Sequence, residues 1–147
     1  MFANDDEALA AAIDAYAAYE EVATLIFSEG GANADRLRTV ATGDLLEVEL
    51  DGYQRVQARG QRLTGSFKFD KVVLQRVDEQ AIGGVGVVVV YLCEILTGTD
   101  VLDASGASTV KPGRPDRTPF EVSFDWNAEG NSLLVGHSDI WMGGGVC

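Results

Sequence analysis

The run Gly83-Gly84-Val85-Gly86-Val87-Val88-Val89-Val90-Tyr91-Leu92-Cys93-Glu94-Ile95-Leu96 constrains the fold more than any other stretch of the chain. Valine loses rotamer freedom in a helix and packs well on a pleated surface, so the run is predicted to be a strand. No lysine, arginine or aspartate interrupts it. Both faces of its middle must therefore be covered, as in a central strand with helices on one side. At a period of two, Val85, Val87, Val89, Tyr91 and Cys93 share one face. The glycines at 83, 84 and 86 are no phosphate loop, because they lead into a strand and lack the following Lys-Ser/Thr. They are read as a bend or bulge where the sheet curls.

Helices precede this strand. Residues 5–28 are rich in alanine and repeat apolar residues at helical spacing: Leu9, Ile13, Tyr16, Ala23 and Phe27, with Ala12, Tyr19, Val22 and Ile26 alongside. Asn4 or Asp5 can cap the start, Asp6 and Glu7 favour the positive dipole end, and Gly30-Gly31 supplies the stop. A short helix is predicted over 34–41, with Asn33 as its cap and Leu37 and Val40 facing inward. A third runs over 45–58, after the break at Thr42-Gly43-Asp44, and is closed by Arg59-Gly60.

Beyond Gly60 the texture becomes extended. Leu63, Gly65, Phe67 and Phe69 alternate with Thr64, Ser66 and Lys68, and residues 72–77 continue the strand. Turns at 78–80, 97–100 and 103–106 bracket the central strand and a short Val101-Leu102 piece. Residues 107–119 form a loop holding all three prolines and the basic residues Lys111, Arg114 and Arg117. Phe120, Val122, Phe124 and Trp126 alternate with Glu121, Ser123 and Asp125. After a turn at 127–131, residues 132–142 run back with Leu133, Val135, His137 and Trp141 on one face. Helices first (about 5–59) and hairpin-connected strands after (about 62–142) define a single α+β domain over residues 1–147.

Charge excludes some partners. The net charge is −12, and every lysine and arginine lies between Arg36 and Arg117. Such a surface repels phosphate backbones and anionic lipid headgroups, so nucleic acid and anionic membranes are disfavoured. No stretch reaches the roughly 20 apolar residues of a transmembrane helix. The segment Met1-Phe2-Ala3-Asn4-Asp5-Asp6-Glu7 is too acidic to be a signal peptide as it stands. One histidine and two distant cysteines give no metal spacing, and no cofactor motif is present. The acidic runs at the N-terminus read as solvated helix surface.

The two cysteines leave two readings open. Cys93 suits a buried apolar site, whereas Cys147 is the last residue, behind the flexible Gly143-Gly144-Gly145. Either they close one long loop, worth roughly 3–5 kcal/mol in the chain-entropy account, or they are two free thiols. A disulfide would imply an oxidising compartment.

The layout resembles the NTF2-like (cystatin-like cone) superfamily. It is most similar to exported or lipid-anchored NTF2-like proteins of actinobacteria, whose activities are mostly unassigned. The residues that carry this are Leu37-Arg38-Thr39-Val40-Ala41-Thr42-Gly43, then Cys93 with Thr97-Gly98-Thr99-Asp100-Val101. Asp103-Ala104-Ser105-Gly106 and Pro112-Gly113-Arg114-Pro115-Asp116-Arg117-Thr118-Pro119-Phe120 follow, with a late cysteine at Cys147. Where those proteins commonly carry Trp-Leu-Val, this chain has Leu133-Leu134-Val135, and it shows no lipobox cysteine. The resemblance implies a strongly curved, mainly antiparallel sheet wrapped on N-terminal helices, a Cys93–Cys147 pairing, and an extracytoplasmic setting.

The resemblance also implies a pocket inside the cone. Some members are enzymes (ketosteroid isomerase, scytalone dehydratase, limonene epoxide hydrolase) that place an Asp base, a Tyr donor or an Asp/Arg/His set in an apolar cavity. The catalytic candidates here are His137 and Asp139, two apart and expected on one face with Leu133 and Val135. A histidine near a strand end is more commonly wet or bonded to a neighbour. Tyr16, Tyr53, Tyr91 and Trp126 are candidate pocket residues, although inward aromatics more commonly fill a core. The Lys111/Arg114/Arg117 loop either meets a partner or pairs with the protein's own carboxylates. With no convergent catalytic set in view, the favoured expectation is a non-enzymatic NTF2-like module that binds a protein partner or forms a homodimer. The alternatives are an isomerase- or dehydratase-like enzyme and a carrier of a small apolar ligand.

Overall fold

The computed structural model describes residues 1–147 and is α+β. Helix α1 (Asp5–Ser28) is followed by a 3-10 segment (Ala34–Thr39) and helix α2 (Gly43–Arg59). Strands β1 (Arg62–Thr64), β2 (Lys68–Val77), β3 (Val88–Ile95), β4 (Asp100–Leu102), β5 (Arg117–Trp126) and β6 (Leu133–Ile140) complete the chain. The main sheet has the order β2-β3-β5-β6 with every pairing antiparallel, and β1 pairs with β4 in a separate ribbon. The valine-rich stretch is central, as expected.

Asn4 caps α1, its Oδ1 accepting from the Glu7 amide at 2.9 Å. The helix stops at Gly30 and Gly31, where φ is 73° and 83°. A Cβ on Gly31 would lie 2.5 Å from the Tyr53 carbonyl oxygen, so glycine also sets how closely α2 approaches. The buried stripe of α1 runs Ala8, Ala12, Tyr16, Tyr19, Ala23 and Ile26. Its centre is rotated from Leu9 and Ile13 towards the alanines, which let the helix lie closer to the sheet.

Five boundaries differ from expectation. Residues 34–41 are not an α-helix but a shorter 3-10 segment. Asn33 does not cap it; it sits in the left-handed region with φ 53°. α2 begins at Gly43 rather than 45. The extended segment after Gly60 is two strands: Gly65, with φ 80°, packs where a Cβ would be 2.3 Å from the Gly98 carbonyl oxygen, and this break sends β1 to β4 and β2 to β3. The glycines at 83, 84 and 86 do not bend β3; all have positive φ and form the turn before it, so the strand starts at Val88. At the other side of the prolines, β5 already starts at Arg117.

The core lies between α1 and the inner face of the sheet. Val88, Val90 and Leu92 of β3, with Val122 and Phe124 of β5 and Val135 of β6, are fully buried against Ala8, Ala12 and Ile26. The opposite face of β3 carries Val89, Tyr91 and Cys93. Cys147 returns to it through a disulfide with Cys93, their Cα atoms 5.3 Å apart, and Trp141 packs on Tyr91 with ring centroids 4.6 Å apart. The C-terminal tail thus covers Tyr91 and Cys93, while Val89 on the same face lies between Arg76 and Ser123 of the neighbouring strands.

The bridge closes a loop of 54 residues, for which the chain-entropy account gives about 4 kcal/mol. Cys147→Ser is expected to lower the unfolding free energy in urea by about that amount without changing the secondary structure. Equal urea midpoints for the two proteins would contradict it.

Candidate functional site

Along the inward stripe of α1 Ala8 and Ala12 give way to Tyr16 and Tyr19, and α2 buries only Tyr53. The space left between α1, α2 and the inner sheet face is a cavity of about 460 Å³, open to solvent past Val48 and Arg55. This volume is in the range of small-molecule sites. Its walls are mainly apolar and aromatic. Phe27 packs edge-on to Tyr53, and Tyr16 edge-on to Phe69.

Three carboxyls converge in this apolar space. Glu94 continues the inward row of Val88, Val90 and Leu92 and is 8% exposed; Glu20 lies one turn after Tyr16 on α1 and is 5% exposed. Glu49 comes from α2. The Tyr16 hydroxyl donates to Glu94 Oε2 at 3.4 Å, the Tyr19 hydroxyl donates to Glu49 Oε1, and the Tyr53 hydroxyl donates to the Ala23 carbonyl at 3.4 Å. Glu20 Oε1 is buried with no donor. Glu20 and Glu94 hydrogen-bond carboxyl to carboxyl, an arrangement that exists only while one of them is protonated.

Burial is the main cause of the raised carboxyl pKa values. It lifts Glu20 from 4.5 to about 7, with Glu94 opposing and Glu49 adding to the rise. Burial, with the neighbouring Glu20 next, lifts Glu94 to about 10. The two titrate as a unit, holding at least one proton between them at neutral pH. Burial also raises Glu49, and it raises Tyr16, Tyr19 and Tyr53, which stay neutral hydroxyl donors. A shared proton, neutral phenols and an apolar wall can bind a polar group of a ligand or move a proton to and from it.

The residues singled out from sequence are scattered. Tyr16 and Tyr53 line this cavity. Tyr91 does not; it is on the outer face beneath Trp141. Trp126 stacks on Phe2 at 5.5 Å in a different groove. His137 and Asp139 are a hydrogen-bonded pair, Nε2 to Oδ2 at 2.7 Å, with Asp44 Oδ2 at 3.8 Å from Nδ1. They are not on the face of Leu133 and Val135. A bulge at Gly136, opposite the step from Ser123 to Phe124, reverses the alternation and turns His137 outward, half-exposed. Gly136 is required there, since a Cβ would be 2.2 Å from Asp125 Oδ2.

Two of the three basic loop residues are bonded within the chain, and Lys111 is exposed. Arg117 pairs with Asp70 at 2.5 Å, and Arg114 donates to the carbonyls of Leu96 and Thr99. Glu20, Glu49 and Glu94 were not singled out from sequence. The available signals were Glu94 in register with inward valines and Glu20 at helical spacing from Tyr16 and Ala23.

No protein-family model matches the sequence, and no curated protein is significantly similar to it. Among solved structures, the chain is similar to the intermembrane space region of the chloroplast protein ARC6. The TM-score is 0.61 at 15% identity, over 88% of this chain and 92% of that one. A likeness at this identity concerns the fold alone.

The acid pair makes a pH prediction. A carboxyl raised on folding leaves stability intact below its unfolded value near 4.5, and stability falls as pH rises towards the folded values. Glu94→Gln preserves the shape and a donor to Glu20 while removing one titration. At about pH 8 the variant is expected to be more stable than the wild type by ~2 kcal/mol, with the difference vanishing near pH 4. Urea unfolding across this range checks it; a variant less stable at both ends contradicts the burial of a shared proton.

Proposed function

We propose that this chain is an NTF2-like domain of an extracytoplasmic protein whose cavity binds a compact, largely apolar small molecule. The observation that carries the reading is the hollow between α1, α2 and the sheet, about 460 Å³ with aromatic walls and a few convergent polar groups. The cone-like order of helices and antiparallel strands, and the motifs shared with NTF2-like proteins, support the family. The Cys93–Cys147 bridge supports an oxidising compartment.

The partner-binding expectation rested on the lack of converging side chains in the sequence. Tyr16, Glu20, Glu49 and Glu94 provide that convergence, which favours a ligand site over a purely structural module. Binding comes first in this reading. Proton transfer by Glu20 and Glu94 is the chemistry the site would add if the ligand carries an acidic C–H or a leaving hydroxyl.

A neutral apolar fluorophore, N-phenyl-1-naphthylamine, tests it. Its emission is expected to rise and saturate at one equivalent on titration with the protein. Val56→Trp, which fills the wall of the cavity from α2, is expected to weaken binding about tenfold or more while leaving the melting temperature nearly unchanged. No saturable signal from the wild type, or undiminished binding by the folded variant, overturns the reading.

A further inference from the structure

We infer that the cavity selects an organic cation: a protonated amine whose ammonium is received by Glu20 and Glu94 and whose apolar body lies along the aromatic wall. This rests on the cavity being a ligand site and names the chemistry of its ligand.

Three observations point to a cation. First, Glu20 Oε1 is an acceptor in a side chain only 5% exposed, lining the cavity, and no hydroxyl, amide or basic group of the protein donates to it. An orphaned buried acceptor costs free energy that a donor from a ligand recovers. Second, the charged groups facing the cavity are unbalanced. α1 brings Glu20 with Tyr16 and Tyr19, α2 brings Glu49 with Tyr53 and Arg55, β3 brings Glu94, and β6 brings Ser138. Arg55 is the one cation among them; it is exposed at the rim and makes no ion pair. Third, the tyrosine and phenylalanine faces around the carboxyls favour a cation and exclude an anion.

The ligand is an organic cation rather than a metal ion, because no three of the chain's carboxylates and its one imidazole are placed to hold one. An ammonium has three donors. It can satisfy Glu20 Oε1 and replace the proton that the Glu20–Glu94 pair shares. The proton leaves to bulk solvent as the ammonium enters, so the charge of the site is balanced by the ligand instead. The net charge of −12 adds a long-range attraction for the same sign of ligand.

Competition against bound N-phenyl-1-naphthylamine near neutral pH tests it with three matched molecules: 2-phenylethylamine, 2-phenylethanol and phenylacetate. The amine is expected to displace the fluorophore at least about tenfold more effectively than the alcohol, with phenylacetate weakest. In the Glu20→Gln/Glu94→Gln variant, which keeps both shapes and removes both titrations, the ratio of amine to alcohol affinity, each taken relative to the fluorophore's own affinity for that variant, falls to within about threefold. Calorimetry of amine binding in two buffers of different ionisation enthalpy is expected to show proton release.

If the fluorophore binds the wild type but the amine competes no better than the alcohol, the cation assignment fails and the cavity reading stands. A double variant that keeps the preference, or amine binding without proton release, also overturns the assignment. If the fluorophore does not bind the wild type, the ligand-site reading fails first.

Discussion

The rest of the structure depends on β3 being buried on both faces. Val88, Val90 and Leu92 need an apolar cover on one side, and Tyr91 and Cys93 need one on the other. α1 supplies the first and is held over the sheet by its alanine stripe. The second is supplied by a short tail that has no regular structure after Ile140 and could not by its own burial stay in place. The disulfide solves this. It fixes the chain's last residue to the middle of its central strand, and Trp141 on Tyr91 fills the space between.

The cavity follows from the same packing. The inward residues of α1 are Ala8 and Ala12 near its start and Tyr16 and Tyr19 further on, and only the latter pair lines the cavity, the wedge of space between α1, α2 and the sheet. α2 roofs that wedge with Tyr53 and otherwise contributes half-buried side chains. Glu94 falls into the wedge because it continues the inward alternation of β3 past Leu92, and Glu20 because it is one turn beyond Tyr16. Had either been apolar, the wedge would be an ordinary gap in a core.

Most of this frame was legible in the sequence: the central strand from its valines, α1 from its period, α2's end from Gly60, the alternation of β5 and the pairing of the cysteines through a family likeness. The site was not. Parity predicts faces only until a bulge, and Gly136 reverses β6 just before His137, so the one histidine points away from the pocket. Gly65 and Gly98 meet backbone to backbone, a contact that no periodicity reports. The pairing of Glu20 with Glu94 joins residues far apart in sequence, one on a helix whose acidic runs read as solvated surface and one in a strand that read as apolar. Each carboxyl is unremarkable alone; only the register of helix on sheet makes them a pair.

That pair also opposes the stability of the fold that makes it. Near neutral pH the unfolded chain ionises both glutamates freely, whereas the folded chain must hold a proton against solvent, so folding is weakened by the groups that line the cavity. Two apolar residues of similar size would fill the wedge without that cost. A buried, proton-sharing and incompletely bonded pair at the end of an open cavity is therefore better understood as a site than as a structural element, since its deficit is removed by what enters rather than by anything the chain provides. The disulfide and the fully buried valines of β3 supply the stability against which such a deficit can be maintained.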